Sequence, residues 1–275
     1  MSNDSSKPAW APASFIGHGT PMNAIRPNRF TEAWRAFGRA VPRPRAVLVV
    51  SAHWYVGATL VTAMPRPPTI HDFAGFPRQL YEVQYPAPGL PDLAQEIVEL
   101  SRPLRVEVDR DSWGLDHGSW AVLIHVFPDA SVPVLQLSVN AAEGLDYHFE
   151  LGRRLAPLRA RGVVLLASGQ VINGQRQADP RLESGYEWAN DFDAEAREIM
   201  RSNPADIARL LRHPHFRDAA PTPDHFWPLV QFAGVASASA QRVNVMAEGV
   251  IGGSISMTCF ALAASEAKTE KVISR

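Results

Sequence analysis

Histidines stand directly after two short apolar runs of the sequence. His18 follows ASFIG (13–17), and His53 follows AVLVVSA (46–52). Short β-branched apolar runs predict buried strands, and ligands of open α/β sheets gather beyond the carboxyl ends of strands. Two imidazoles at two such ends could therefore bind one metal ion, because histidine is the commonest metal ligand among side chains.

A metal ion that keeps open positions for chemistry needs three protein ligands. His225 is a candidate, since the prolines of APTPDHFWPL would fix the loop that carries it. Asp224 beside it is a candidate carboxylate ligand or hydrogen-bond acceptor. A histidine after a strand can also cap a turn or form a hydrogen bond with a neighbouring residue. Scattered histidines therefore indicate a metal site less strongly than H-E-x-x-H or paired C-x-x-C motifs, whose spacing alone sets the ligand geometry.

Three further histidines lie in different contexts. His117 stands between Asp116 and Gly118 before an apolar helical run, so it either faces a pocket or is satisfied by Asp116 within the first turn. His71 belongs to the segment 64–90, rich in Pro, Gly and aromatic residues, which we call the aromatic loop; it either reaches the site or caps a turn. Loops of this length in compact domains are usually functional. We expect His148 to be solvated.

Strands and helices alternate along the chain. Apolar runs predict strands at 13–17, 46–51, 132–139 and 163–167 and a β-rich stretch at 253–262, and apolar spacing and capping predict helices at 91–101, 144–161 and after Asn203-Pro204. This alternation favours an α/β fold: one domain with a mostly parallel or mixed central sheet, helices on both faces and a metal site at the carboxyl ends of the strands. We assign 13–262 to this domain, with a flexible tail at 1–12 and a polar tail at 263–275.

Composition excludes several classes of protein. Hydrophobic residues make up 46% of the 275 residues, and the formal net charge is −1, which argues against disorder and against nucleic-acid or membrane binding. A single cysteine, Cys259, argues against a disulfide framework, and the N-terminus lacks the apolar core of a signal peptide. We expect a soluble cytoplasmic protein; whether it forms a homo-oligomer stays open.

Longer motifs resemble a known family. In chain order these are GHGTPMNAI, SAHW, TIHDFAGFPRQLYEVQYPAPG, WGLDHGSWAVL, FPDASVPVLQLSV, FELGRRLAPLRARGVVLLASG and TPDHFWPL. They resemble the class III extradiol ring-cleavage dioxygenases, and among them the 4,5-DOPA dioxygenase type. The resemblance runs from about residue 13 to 260.

The resemblance implies one α/β domain that binds a single divalent metal, Fe(II) for activity, with Zn(II) found in some isolated members. The metal ligands of the family fall on His18, His53 and His225, and its pocket histidine falls on His117. The substrates would be a small catechol-type aromatic molecule, DOPA-like or related, and O₂. Candidate walls for a flat substrate are His71 and the aromatic residues Trp54, Phe73, Phe76 and Trp120, although large aromatic residues also pack in cores.

One position departs from the family pattern. After VLLASG the family places a histidine that acts as an acid or base near the metal, and here SGQVINGQ has Asn173 instead. An amide can donate a hydrogen bond but cannot titrate, and loss of a positioned acid or base costs ~10²–10⁴ in rate.

The leading hypothesis is an extradiol dioxygenase in which Asn173 is tolerated. One alternative is a Zn(II) enzyme that uses metal-bound water as a hydrolase or C–C lyase. The other is a metal-binding protein of reduced activity, because a chain can keep its fold after its active site has changed.

Overall fold

The structure is a computed structural model that describes residues 10–265. In that range the chain forms ten strands: β1 (Ala13–Gly17), β2 (Ala46–Val56), β3 (Leu60–Thr62), β4 (Glu107–Asp109), β5 (Val134–Asn140), β6 (Val163–Gly169), β7 (Asn244–Ala247), β8 (Val250–Ile251), β9 (Ile255–Ser256) and β10 (Cys259–Leu262). The α-helices are α1 (Arg29–Ala40), α2 (Arg78–Tyr81), α3 (Pro91–Ser101), α4 (His117–Val126), α5 (Leu145–Leu155), α6 (Glu187–Ser202), α7 (Phe216–Ala219) and α8 (Trp227–Ser239).

Eight strands form one mixed sheet in the order β4-β3-β5-β2-β6-β1-β10-β7. Its centre is parallel: β5, β2, β6 and β1 run side by side in one direction, and β10 joins β1 antiparallel. Because both faces of the central strands are covered, β5 and β6 are buried along their whole length, and β6 begins as a continuous apolar run.

Helices cover the sheet on both faces. On one face, α1 and α4 pack through side chains such as Trp34 and Leu123. On the other, α3, α5 and α8 pack through side chains such as Ile97, Leu151 and Val230. This is the single α/β domain with a mixed sheet that the sequence predicted.

Most predicted elements form where expected, and β1 and α3 match their predicted bounds. The predicted helix 144–161 is divided, because α5 ends at Leu155 and the chain continues as a 3₁₀ helix over Ala156–Arg161, where Pro157 lacks the backbone N–H that an α-helix needs. The helix after Asn203 also forms as a 3₁₀ helix, Pro204–Arg212.

The outer parts of both predicted tails, residues 1–9 and 266–275, lie outside the described residues. Inside the range, the backbone N–H of Trp10 donates to Ser265 Oγ at 3.1 Å, and Ala11 N–H donates to the Arg159 carbonyl at 2.9 Å. None of the helices in the described range is long and apolar enough to cross a membrane.

Candidate metal centre

Four histidine rings meet at the carboxyl ends of the central strands. His18 follows β1, His53 lies near the end of β2, His117 begins α4, and His225 precedes α8. The ring centroids of His18, His53 and His225 form a nearly equilateral triangle with sides of 5.0, 5.3 and 5.1 Å. His117 lies 3.8 Å from His53 and 5.9 Å from His18 by the same measure.

The turn after β1 is built around His18. Gly19 adopts a φ of +67°, which glycine accepts without strain, and Asn23 Nδ2 donates to the His18 carbonyl at 2.8 Å. The ring itself is oriented from β6, since His18 Nδ1 lies 2.9 Å from Ser168 Oγ. The Ser168 hydroxyl donates to the Gly118 carbonyl at 2.5 Å, so its oxygen accepts from His18 Nδ1–H.

His53 and His117 share one carboxylate, that of Asp72 in the aromatic loop. Asp72 Oδ2 lies 2.9 Å from His117 Nδ1 and 3.2 Å from His53 Nδ1. Asp72 Oδ1 accepts from the backbone N–H of His117 at 2.9 Å. Asp116 caps α4 instead, because its carboxylate accepts from Ser119 N–H; it does not satisfy the His117 ring.

His225 is oriented by its neighbour in the chain. Its Nδ1 lies 2.5 Å from Asp224 Oδ2, and its carbonyl accepts from Gln170 N–H at 2.9 Å. That last bond ties the His225 loop to the end of β6. Gly169 makes the approach possible, since a Cβ there would stand 2.4 Å from the His225 carbonyl oxygen.

The donor set fits a divalent metal ion. In each of the four rings Nδ1 faces an oxygen, which leaves Nε2 for the centre. The Nε2 atoms of His18 and His53 are 3.2 Å apart, with no proton between them once both Nδ1 atoms donate. Two lone pairs at this distance repel unless a cation lies between them, and two nitrogen ligands of one ion stand about 2.9–3.4 Å apart.

Electrostatics favour the neutral, metal-binding form of His18 and His53. Burial lowers the pKa of His18 well below its ordinary value, and repulsion from the other three rings lowers it further. Burial and the rings of His117 and His225 likewise depress the pKa of His53, against the opposing pull of Asp72. Metal ligation requires deprotonated imidazole, so the site is ready to bind near neutral pH.

The carboxylates around the rings are tuned in different directions. Burial alone would raise the pKa of Asp224, but the hydrogen bond from His225 brings it to about 2. Burial likewise opposes ionisation of Asp72, yet its bond to His117 lowers its pKa. Asp116 is fully buried beneath them, and burial together with the charge of Asp72 raises its pKa to about 6.

Two different trios can be drawn from the four rings. The ligand nitrogens of His18, His53 and His117 all lie within 4.8 Å of one another. The trio of His18, His53 and His225 has the more regular ring triangle. Rings bound to one ion at about 90–110° have centroids about 4.5–5.3 Å apart, a spacing that this second trio meets on all three sides.

The aromatic loop brings two of the predicted wall residues to the site. The Phe73 ring meets His117 edge-on at 5.5 Å, and Phe76 packs against Phe73 at 5.3 Å. The His71 ring lies behind them, 5.6 Å from Trp120, and its Nε2 is engaged by the Val83 carbonyl at 2.9 Å.

Trp54 and Asn173 have other surroundings. The Trp54 ring is 2% exposed and stacks on Trp113 at 5.7 Å. Asn173 lies four residues beyond β6 and donates its backbone N–H to the Ala219 carbonyl at 2.7 Å. Its Oδ1 atom is buried without a hydrogen-bond partner among residues 10–265.

Sequence reasoning missed two orienting residues and misplaced one histidine. Asp72 follows His71 in the loop motif, and Ser168 lies in the strand motif ASG. Neither residue has a spacing to the histidines that indicates a hydrogen bond to one of them. The expectation that His148 is solvated is wrong: the ring is fully buried, stacks on Trp227 at 5.0 Å and bonds to the Asn140 carbonyl. It lies on the face of α5 that packs against α8.

Comparison with known proteins identifies the family. Residues 14–258 match the family described as the catalytic LigB subunit of aromatic ring-opening dioxygenase. The chain belongs to this family. A relative in Escherichia coli K12, named 4,5-DOPA dioxygenase extradiol, is 44% identical over 90% of this chain and 92% of its own. A relative of the same name in Beta vulgaris is 36% identical over 82% and 87%.

A solved structure has the same fold. It is the crystal structure of the uncharacterized protein JW3007 from Escherichia coli K12, with a TM-score of 0.80 and 38% identity over 92% of this chain and 100% of that one. The chain is therefore a LigB-type extradiol ring-cleavage dioxygenase, in the branch whose relatives carry the DOPA dioxygenase name.

These findings confirm the resemblance seen in the sequence. LigB dioxygenases are metal-dependent and act on a small molecule with O₂, and the histidine cluster offers the ligands that such a metal requires. They favour the dioxygenase over the zinc-dependent hydrolase or lyase, and over the binding protein of reduced activity.

Proposed function

We propose that this dioxygenase opens the ring of a catechol-type substrate, DOPA-like or related, with Fe(II) as the working metal. The observation that carries the proposal is the convergence of four imidazoles whose Nδ1 atoms are all engaged and whose Nε2 atoms are free for the centre. The histidines would hold the ion, which would supply Lewis-acid and O₂-activating chemistry at this site.

His18, His53 and His225 are the proposed ligands. Their regular ring triangle supports this set. Each ring is held from a different element, by Ser168 of β6, by Asp72 of the aromatic loop and by Asp224. Three protein ligands would leave the ion open to substrate and O₂.

His117 is the proposed proton acceptor. Its Nδ1–H is held by Asp72, so its Nε2 lone pair is free to take the proton of a substrate hydroxyl. The carboxylate on the far side of the ring stabilises the imidazolium that forms, as in other carboxylate–histidine pairs.

Asn173 takes the place of a second proton-transfer group. A buried amide whose Oδ1 lacks a protein partner can accept or donate a hydrogen bond to substrate, but it cannot carry a proton between steps. The proton work thus falls to His117, which predicts a slower enzyme than one with histidine at both positions.

Phe73, Phe76 and His71 are the proposed aromatic wall. The Phe73 ring is in edge-to-face contact with the His117 ring, and a catechol beside His117 would also contact Phe73. Trp54, which was also predicted for the wall, has a buried ring that stacks on Trp113.

The test is anaerobic reconstitution with Fe(II), followed by oxygen uptake with DOPA and other catechols. We expect one O₂ consumed per substrate and a yellow ring-fission product. No uptake by fully iron-loaded protein would overturn the proposal.

Two variants separate the ligands from the proton acceptor. We expect His225→Ala to lose bound metal, and His117→Ala to keep the metal and lose turnover. His215→Ala, at an exposed histidine outside the cluster, is the matched control. Metal loss in His117→Ala with retention in His225→Ala would assign the third ligand to His117 instead.

A further inference from the structure

We propose that Asp72 is a positioning residue that sets the orientation and tautomer of two catalytic-site rings, His53 and His117, with a single carboxylate. The catalytic consequence rests on the proposed function, but the geometry does not. Nothing in the sequence motifs marks this residue for such a role.

One oxygen of Asp72 serves both rings. Oδ2 lies 2.9 Å from His117 Nδ1 and 3.2 Å from His53 Nδ1, and the two rings are the closest pair of the cluster, with centroids 3.8 Å apart. An ionised carboxylate only accepts hydrogen bonds, and each oxygen has room for two donors. The hydrogen bond to Asp72 requires a proton on Nδ1 of His117. At the 3.2 Å ion-pair distance of His53, a proton on Nδ1 likewise avoids placing a lone pair against the carboxylate. This tautomer leaves both Nε2 lone pairs for the centre.

The other oxygen fixes where His117 stands. Oδ1 accepts from the backbone N–H of His117, the first residue of α4, whose N–H has no partner inside the helix. A ring bond and a backbone bond from the same residue hold the carboxylate plane in one orientation. The side chain is only 13% exposed, so water competes little for these bonds.

The aromatic loop is itself tied to α4 next to Asp72. Trp120 Nε1 donates to the Ile70 carbonyl at 2.8 Å, and Ile70 N–H donates to the Leu115 carbonyl at 2.7 Å. These bonds fix the loop backbone beside Asp72 and thereby position its carboxylate. His18 and His225 have acceptors of their own, whereas within the described range His53 and His117 have only Asp72 for Nδ1.

Asp72→Asn breaks this arrangement whichever way the amide turns. With its nitrogen at the Oδ2 position it points N–H groups at two ring N–H groups, and with its nitrogen at the Oδ1 position it points them at the His117 backbone N–H. Either orientation forces a ring or the helix start to move. Loss of a partner that orients a ligand costs 10–100-fold in metal affinity, and we expect that range.

The matched control is Glu82→Gln, which removes a carboxylate from the same loop. Glu82 is exposed, and its one ion pair among residues 10–265 is with Arg78 at 2.9 Å. Affinity is measured with Zn²⁺ on the full chain by competition with a chromophoric chelator. We expect weaker binding in Asp72→Asn and none of this change in Glu82→Gln; equal affinities in all three proteins would overturn the proposal.

The second measurement is ¹⁵N NMR of the histidine rings in the zinc-loaded full chain. We expect His117, which is not a proposed ligand, to carry its proton on Nδ1 in the unmodified protein, a result that can be obtained even if Asp72→Asn fails to fold. A proton on Nε2 of the neutral His117 ring would overturn the proposal. Neither measurement involves substrate or O₂, so a failed catechol assay with these results intact would overturn the proposed function alone.

Discussion

Gly118 gives the sharpest test of how tightly the site is packed. A Cβ at this position would stand 2.5 Å from Ser51 Oγ and 2.8 Å from His53 Cδ2, whereas ordinary contact begins at 3.4 Å. Ser51 cannot retreat cheaply, because it is buried and donates to Asp116 at 2.7 Å. In Gly118→Ala the His53 ring must therefore move by about 0.6 Å, beyond the roughly 0.2 Å that metal–ligand distances tolerate.

Two effects oppose each other in this variant. Alanine is the better helix former by about 1 kcal/mol, whereas overpacking a filled core costs about 1–3 kcal/mol. We expect the clash to prevail, with a lower melting temperature, metal bound below one equivalent and kcat/KM reduced about 10²-fold. The measurements are thermal unfolding, elemental analysis and oxygen uptake on the iron-loaded enzyme.

The matched control is Gly57→Ala, at an exposed glycine with nothing within 4 Å of the added methyl group. We expect it to keep full metal content and activity. If Gly118→Ala also keeps one metal equivalent and the turnover of the control, the packing around His53 has room for a methyl group, which would contradict the prediction.

Three further predictions follow from the site and the core. Asn173→His should raise the ring-cleavage rate, by up to about 10²-fold, because it restores a titratable group; an unchanged rate in oxygen uptake would show that protons are handled elsewhere. His53→Ala should remove the metal, and a full equivalent by elemental analysis would contradict its assignment as a ligand. Burial lowers the pKa of His148 from 6.5 to about 4, so the unfolded chain binds a proton more readily and stability falls as the pH drops from 6.5 towards 4. Urea unfolding at pH 8 and pH 5 should show about 2 kcal/mol of loss from this group, and His148→Gln should lose correspondingly less; equal losses in both proteins would refute the assignment.

Much of the fold could be predicted from local sequence patterns. A buried parallel strand needs apolar side chains on both faces, so β1, β2 and β6 could be predicted from apolar runs. The end of β1 located His18, whereas β2 continues past its predicted end, through His53 to Val56. Helix boundaries were predicted less well. The helix predicted over 144–161 ends as an α-helix at Leu155 and continues through Pro157 as a 3₁₀ helix.

The family motifs reached further than periodicity. They brought His117, His225 and Asn173 into one hypothesis, although these residues are far apart in the chain. What no motif supplied was the pairing of side chains: Ser168 with His18, and Asp72 with both His53 and His117. Such pairs depend on how loops from different strands meet at one edge of the sheet.

The α/β architecture and the family could be predicted from the sequence, as could the candidate metal-binding histidines, because these depend on residue type and order along the chain. The folded structure was needed to show which acceptor orients each ring, that Gly118 must lack a side chain beside His53, and that His148 is buried rather than solvated. Hydrogen-bond partners and van der Waals limits depend on differences of a few tenths of an ångström between segments up to 150 residues apart, and periodicity within one segment carries no information about them.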